Sequence, residues 1–386
     1  MGEIYLDNAA TTQPYKEVVD TMMTCLTEQY YNPSSLYLNS VKVNNVIGDA
    51  KKTVADFIGA NPNEVIFTSG ASESNCTALL GFILNRAAKF EMCSVITTEI
   101  EHKSIKSFVE TYREAPFCEF EFIGVDKNGF INDDELIDAI EYMLMRMSAE
   151  NIIVSLQLAN NEVGTVQNIM FLSNIVQKYG CVLHVDATQA FGQLKINVDD
   201  MGIDMLSASA HKIRGPKGTG ILYKRNGIEI NPIIYGSQMD GLRGGTENVA
   251  GIVGMAKAVE HINIKMEDID ELNYKRDVLI NRLKDIGCKL NGPIKNRLPN
   301  NISVQLPDGV GGEEMLYLLD IDGIMVSTGS ACNSHAKEPS YVLKAIGLTD
   351  DEAARTIRIT ISPDIDYDTI NKVVNDIDKN IKLIKG

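Results

Sequence analysis

Between about residues 64 and 225 the chain alternates short β-rich runs with segments of helical length, and no other feature limits its fold so tightly. The strand candidates are Glu64–Thr68, Cys93–Thr98, Glu119–Ile123, Ile152–Leu158, Val182–Asp186, Ile203–Ser207 and Gly220–Tyr223. Several read as continuous apolar runs, as expected when helices cover both faces of a mainly parallel sheet. Between them, Ser72–Ala88, Lys103–Arg113, Asp133–Met147 and Asn168–Tyr179 have helical length and spacing. The pattern predicts an α/β fold with a mainly parallel seven-stranded sheet flanked by helices.

After Thr246 the texture changes. A long helical stretch over about 248–286, broken near Met266, leads to Asn300–Gln305, Glu313–Leu319, Tyr341–Ile346, Thr356–Ile361 and a final amphipathic helix from about Tyr367. Strict alternation is lost, which predicts a smaller α+β domain. The expected division is a large domain over 13–250 and a small one over 251–386 that includes segment 1–12. A chain of 386 residues accommodates both.

The formal net charge of −16 argues against a nucleic-acid partner, because phosphate binding needs a basic surface. No apolar run approaches the roughly 20 residues that span a bilayer. The start, MGEIYLDNAATT, lacks a basic segment followed by an apolar one, so no secretory signal is read and a cytoplasmic location is expected. The seven cysteines are scattered and include no C-x-x-C pair, which points away from a disulfide framework or a zinc site. Cys93 and Cys181 open apolar runs and are expected to pack as small hydrophobes.

Three stretches carry candidate chemistry. In Asp204–Gly220 a strand ends in small residues, then His211-Lys212, then a Gly-rich turn. A lysine that binds a carbonyl cofactor as a Schiff base needs such a tight loop at a strand end, with room for a flat ring. Ser207, Ser209 and Ala210 give that room, and hydroxyls with backbone amides can bind a phosphate. The alternative is a basic surface turn with Lys212 solvated. Upstream, the apolar strand of Val182–Asp186 ends in an acid, placing Asp186 at the carboxyl edge of the sheet where open α/β folds bind ligands. A carboxylate there can keep a pyridine nitrogen protonated; as an alternative, it can cap a helix. Finally, Phe67-Thr-Ser-Gly70-Ala71-Ser72-Glu-Ser-Asn75 runs from strand through a glycine turn to a helix start, the arrangement for a phosphate at a helix N-terminus, unless Ser72 is only a cap.

Together with Tyr5–Thr12, Asn32-Pro-Ser-Ser35, Glu101-His102, Ala159-Asn-Asn161-Glu-Val-Gly164, His184–Gln189, Gly215–Gly218, Arg243-Gly-Gly-Thr246-Glu-Asn248 and Gly329-Ser-Ala-Cys332, these landmarks stand in one order along the whole chain. In them the chain resembles the fold-type I, class V aminotransferase-like enzymes, and within those the cysteine desulfurases of the NifS/IscS type. The resemblance implies pyridoxal 5'-phosphate (PLP) as cofactor, carried by Lys212. Asp186 would pair with the pyridinium and Gln189 with the ring hydroxyl. His102 would lie over the ring and help move protons, although a polar helix-start histidine reads equally well from the residues alone. Ala71, Ser72, Ser209 and His211 would hold the phosphate, and Thr246 would reach the phosphate of a neighbouring subunit, implying a homodimer. Asn161 would lie near substrate and cofactor, and Arg358 would grip the substrate carboxylate with its planar guanidinium. His184 reads as structural, and Arg355 as a solvated strand-end charge.

Cys332 sits among Gly329, Ser330 and Ala331, a small and polar setting that suits an accessible nucleophile as well as an inert exposed thiol. The resemblance makes it the acceptor of the sulfur of L-cysteine, leaving L-alanine and a persulfide for an acceptor protein of iron–sulfur assembly or tRNA thiolation. The spacer before Pro339 matches the long-loop subgroup. Departures from the family pattern are Tyr235–Arg243, where glycines and Gln-Glu are usual, Tyr37, where histidine is common, and Ser362-Pro363 after the arginine strand. A selenocysteine lyase or small-substrate aminotransferase on the same scaffold, and a low-turnover sulfur-relay scaffold, are the competing readings.

Overall fold

The structure, a computed structural model, describes residues 3–262, 266–328 and 339–386. In chain order the elements are β1 (Ile4–Tyr5), α1 (Lys16–Thr27), α2 (Leu38–Ile58), β2 (Val65–Thr68), α3 (Ala71–Ala88), β3 (Cys93–Thr98), α4 (Lys103–Tyr112) and β4 (Cys118–Ile123). There follow α5 (Asp133–Leu144), β5 (Ile152–Gln157), α6 (Ile169–Lys178), β6 (Val182–Asp186), β7 (Met205–Ser209), β8 (Gly220–Lys224), α7 (Val249–His261) and α8 (Met266–Asp285). The last part carries β9 (Lys289–Leu290), β10 (Asn301–Gln305), α9 (Gly312–Ile321), β11 (Ile324–Met325), β12 (Ser327–Thr328), α10 (Tyr341–Ala345), α11 (Asp350–Ala354), β13 (Thr356–Thr360) and α12 (Tyr367–Lys385).

Seven strands form one sheet in the order β2-β8-β7-β6-β5-β3-β4. Every pairing is parallel except those of β8, which is antiparallel to both neighbours. The connection 210–219 explains the exception, because a parallel return needs a crossover of a dozen residues or more. The continuous apolar runs have the expected cause. Val95 and Ile153 point into one buried cluster and Ile96 and Val154 into another, so alternate residues of the same strands feed two helix-covered faces.

One boundary differs instructively from the sequence expectation. The sixth strand candidate begins at Met205 rather than Ile203, since the Ile203 N–H bonds Val198 O at 2.9 Å and Asp204 accepts from Leu183 N at 2.9 Å. The shift carries pairing on to Ser209 and brings His211 and Lys212 to the sheet edge. The helices α1 and α2 were not anticipated at all. In α2 the buried side chains Val43, Ile47, Ala50, Val54 and Ile58 recur at helical spacing, and Gly59 (φ +71°) ends it in the left-handed conformation.

Downstream, β12-β13-β10-β9 form an antiparallel sheet. Its apolar cluster joins residues of α8, α9 and α12 to Leu6 from the chain's beginning. Leu6 is stitched in by its N–H to Met325 O (2.9 Å) and by its carbonyl, which accepts from Thr360 N (2.7 Å). Segment 7–12 then runs across the carboxyl edge of the large sheet.

That edge is tightly closed at one point. A Cβ on Gly220 would lie 2.6 Å from Gly70 Cα and 2.7 Å from Ala208 O, both backbone atoms. Gly220→Ala is therefore expected to lower stability by about 1–3 kcal/mol, read as a fall in Tm. An unchanged Tm would refute the close approach.

Candidate active site at the carboxyl edge of the sheet

Five strand ends open onto one cavity of about 670 Å³. Ser69–Glu73 follow β2, His102 and Lys103 follow β3, Ala159–Glu162 follow β5, Asp186–Gln189 follow β6, and Ser209–Lys212 follow β7. This is where parallel α/β sheets place their ligands, because side chains beyond the strand ends are free of the ladder. Asp7 and Ala9–Thr11 also line it, and Arg358 from β13 with Ser340 and Tyr341 complete the wall.

Asp186 is 5% exposed and held on both oxygens. Its Oδ2 accepts from Asn75 Nδ2 at 2.8 Å, and its Oδ1 accepts from the Thr188 N–H at 2.9 Å and from the Thr188 hydroxyl. No helix follows, so the helix-cap alternative fails; the side chain closes a turn and faces the cavity. Asn75 also donates to Ser104 Oγ at 3.0 Å, tying α3 to α4. Lys212 ends a single 3₁₀ turn, Ala210–Lys212, and its amine donates to the carbonyls of Ala9 and, at 2.8 Å, Ala10. Gln189 Nε2 reaches the same Ala9 carbonyl at 3.0 Å. Segment 7–12 is anchored beneath by Thr12, whose hydroxyl donates to His211 O at 2.8 Å and accepts from Arg214 N at 2.7 Å.

His102 resolves its two readings into one. Its Nδ1 accepts from Ser104 N at 3.1 Å, so it caps α4, and its ring also lines the cavity. Burial holds its pKa below the ordinary value. A neutral ring that accepts at Nδ1 carries its proton on Nε2. His211 is likewise held neutral, lowered to about 4 by burial with Lys212 and Lys217 nearby. His184 is structural as expected: it is fully buried, with Nδ1 at 2.8 Å from Ser155 Oγ and Nε2 at 3.0 Å from Ser207 Oγ, bridging three strands.

The remaining expected residues divide. Ala71, Ser72, Ser209, His211, Asn161 and Arg358 all line the cavity. Thr246 is exposed and does not line it; its segment is tied to α3 by Arg243 Nε donating to Glu73 Oε1 at 3.0 Å. Cys332 lies outside the described residues. Arg355 is 8% exposed and bonds Asp351, Asp308 and the Leu306 carbonyl, so it is a buried structural arginine rather than a solvated charge. Cys93 and Cys181 are buried, as small hydrophobes.

Four contributors escaped the sequence reading. Asn75 fixes Asp186, and it stands at helical spacing from Ser72 on the face that meets the cavity. Asp7 accepts from Arg358 Nη2 at 2.8 Å across 351 residues of chain. Glu162 and Glu101 are buried acids beside the site. Glu101 is wholly buried, accepting from Thr98 Oγ1 (2.8 Å) and Gln157 N (3.0 Å), with Oε2 lacking a partner.

The donor set suits a flat ring with a carbonyl, a basic nitrogen and a phosphate. An amine and a carboxylate stand on the ends of neighbouring strands, with Asp186 in register with Ser207. The other end of the cavity offers the N-terminus of the 18-residue α3, Ser72, Ser209 and neutral His211. The close approach of Gly220 to Gly70 lets β8 pack directly under the turn that starts α3.

Burial pushes the Glu101 carboxyl up to about 8. The folded protein thus binds a proton that the unfolded chain releases at a pH near 4.5, and the stability tied to it is lost as pH rises from there to about 8. Glu101→Gln keeps an acceptor for Thr98 and removes the titration. The Tm of the variant relative to the wild type is expected to climb between about pH 5 and about pH 8; a difference independent of pH would contradict the assignment.

Comparison with known proteins agrees with this geometry. The class-V aminotransferase family profile matches residues 4–373. The cysteine desulfurase IscS of Dictyoglomus turgidum is 40% identical over 391 aligned positions, covering 99% of this chain and 95% of that protein. The solved structure of a NifS-like protein superposes with a TM-score of 0.89 at 32% identity, covering 99% of this chain and all of the other. That of SspA in complex with cysteine gives 0.81 at 34% identity, over 93% and 99% of the two chains. The chain belongs to the class-V aminotransferase family and, within it, to the cysteine desulfurases of the IscS and NifS type.

Proposed function

We propose that the chain removes sulfur from L-cysteine with PLP held on Lys212, giving L-alanine and a persulfide on Cys332. The observation that carries the reading is the joining, in one cavity, of Lys212 and Asp186 at adjacent strand ends with Arg358 opposite them. Bound there, PLP supplies an electron sink for the Cα–H bond of an amino acid. Asp186 pairs with the ring nitrogen and Gln189 with the ring hydroxyl. Ala71, Ser72, Ser209 and His211 hold the phosphate.

The chain's own groups do the rest. Arg358 orients the substrate α-carboxylate, helped by Asn161. With the cofactor bound, the amine of Lys212 would take the Cα proton, and the Nε2–H of His102 would be placed to donate one. The Cys332 thiolate attacks the substrate sulfur; the C–S bond breaks as the S–S bond forms, and alanine leaves. On either side of the stretch that contains Cys332, Ser327 pairs with Arg358 and Ser340 lines the cavity.

The persulfide passes to an acceptor protein of iron–sulfur assembly or tRNA thiolation. A second copy of the chain supplies Thr246 to the phosphate. Tyr30, Leu36 and Leu38 are 69, 98 and 80% exposed, and exposed apolar side chains favour association. Residues 13–250 form the cofactor domain and 251–386 with 1–12 the second, with Ile252, Met255 and Val259 of α7 reaching back into the core of the large sheet.

Three proteins test the reading. The wild type is expected to be yellow and, with L-cysteine and dithiothreitol, to form alanine and sulfide in equal amounts. Lys212→Ala loses the absorbance band and the products. Cys332→Ser keeps the spectral response to L-cysteine but loses sulfide formation by a factor on the order of 100 or more. Sulfide made as fast without Cys332 would sink the persulfide step and leave only the cofactor reading.

A further inference from the structure

Glu162 stands at the Arg358 end of the cavity and is 6% exposed. The turn that carries it is fixed by Asn160, whose Oδ1 accepts the N–H groups of Glu162 and Val163, both at 2.9 Å. The carbonyl of Asn161 accepts from Arg358 Nη1 at 3.0 Å. On the other side, Glu162 Oε2 accepts the hydroxyl of Ser340 at 2.5 Å, and Ser340 caps α10 through the Leu343 N–H at 3.3 Å. The helix is seated further by Tyr341 OH, which donates to Glu101 O at 2.6 Å, and by Val342, Leu343 and Ile346 packed on Ile100 and Val163. One carboxyl group thus joins α10 to the turn that braces the guanidinium.

Among the described residues the charged groups around it are few. Arg358 from β13 and Lys103 from the first residue of α4 both act on it, while Asp7 and His102 line the same cavity. From α10 and its cap, the neutral Ser340 and Tyr341 reach the wall. Arg358 is already shared, because Nη2 donates to Asp7 Oδ1, and its buried Nε has no partner among the described residues. A second negative charge beside this guanidinium therefore competes directly with an incoming carboxylate.

We propose that Glu162 is a positioning residue whose charge sets how strongly Arg358 holds the substrate α-carboxylate, an inference that rests on the function proposed above. Ionised, Glu162 draws the guanidinium toward the turn and repels the carboxylate. Protonated, it leaves Arg358 with Asp7 alone. Burial pushes the Glu162 carboxyl up to about 7, against the pull of the Ser340 hydroxyl and of Arg358 and Lys103, so its charge changes near neutral pH. Removing the hydroxyl takes away a hydrogen bond that favours the ionised form, and Ser340→Ala moves the change to higher pH.

The test is calorimetric titration of the cofactor-loaded protein with L-alanine, which has the carboxylate and amine of the substrate but no thiol. Glu162→Gln keeps an acceptor for Ser340 and cannot ionise. The pH dependence of the ligand amine is common to both proteins and cancels in the ratio of their Kd values. Between about pH 6 and about pH 8 the ratio of wild-type to Glu162→Gln Kd is expected to rise on the order of fivefold. Ser340→Ala shifts the rise in Kd upward in pH. A constant ratio, or a Ser340→Ala profile that coincides with wild type, overturns the proposal; if Glu162→Gln does not fold, the Ser340→Ala shift decides alone. Wild-type turnover of L-cysteine is measured alongside. Failure to form alanine there overturns the desulfurase reading, while the L-alanine titrations still decide the role of Glu162.

Discussion

One buried carboxylate, Asp186, is the fixed point of the site. It ends the central strand β6, and burial leaves it dependent on the hydrogen bonds that Asn75 and Thr188 give it. A buried carboxylate without such partners would cost several kcal/mol. The partners therefore determine the surrounding architecture. Asn75 requires α3 to start at Gly70, where the Gly70–Gly220 contact allows it, and Thr188 requires the turn that brings Gln189 to the front. The neighbouring strand β7 then sets Lys212 beside the same space. Cofactor chemistry follows from strand register.

Around that point the cavity is kept electrostatically simple. Burial lowers the pKa of His102, His184 and His211 and raises that of Glu101 and Glu162. The three histidines and Glu101 are thereby biased toward their neutral forms, which leaves Glu162 as the buried acid of this set whose charge changes near neutral pH. Arg358 lines the cavity and is paired there with Asp7.

Much of this was legible in the sequence, for a physical reason. Strands buried on two faces leave unbroken apolar runs, and loops at their carboxyl ends leave short polar motifs; both are local signals. Lys212, Asp186 and Ser209 were read in this way, while Gln189 and Arg358 came through the resemblance to the family. What escaped was non-local or diluted. The ion pair between Asp7 and Arg358 joins opposite ends of the chain, and the bond from Ser340 to Glu162 crosses 178 residues. The helices α1 and α2 were hidden because each buries a narrow stripe among polar residues, so their apolar spacing is thin. Thr246 is exposed and lies outside the cavity of its own chain, so no contact within the chain marks it as a site residue.

The central claim is that Lys212, and no other amine, holds the cofactor. Lys103 and Lys217 line the same cavity and are the alternatives. Borohydride reduction of the cofactor-loaded protein, followed by peptide mass mapping, distinguishes them directly. The account predicts a single phosphopyridoxyl adduct on the peptide containing Lys212. An adduct on the Lys103 or Lys217 peptide, or none, would contradict it.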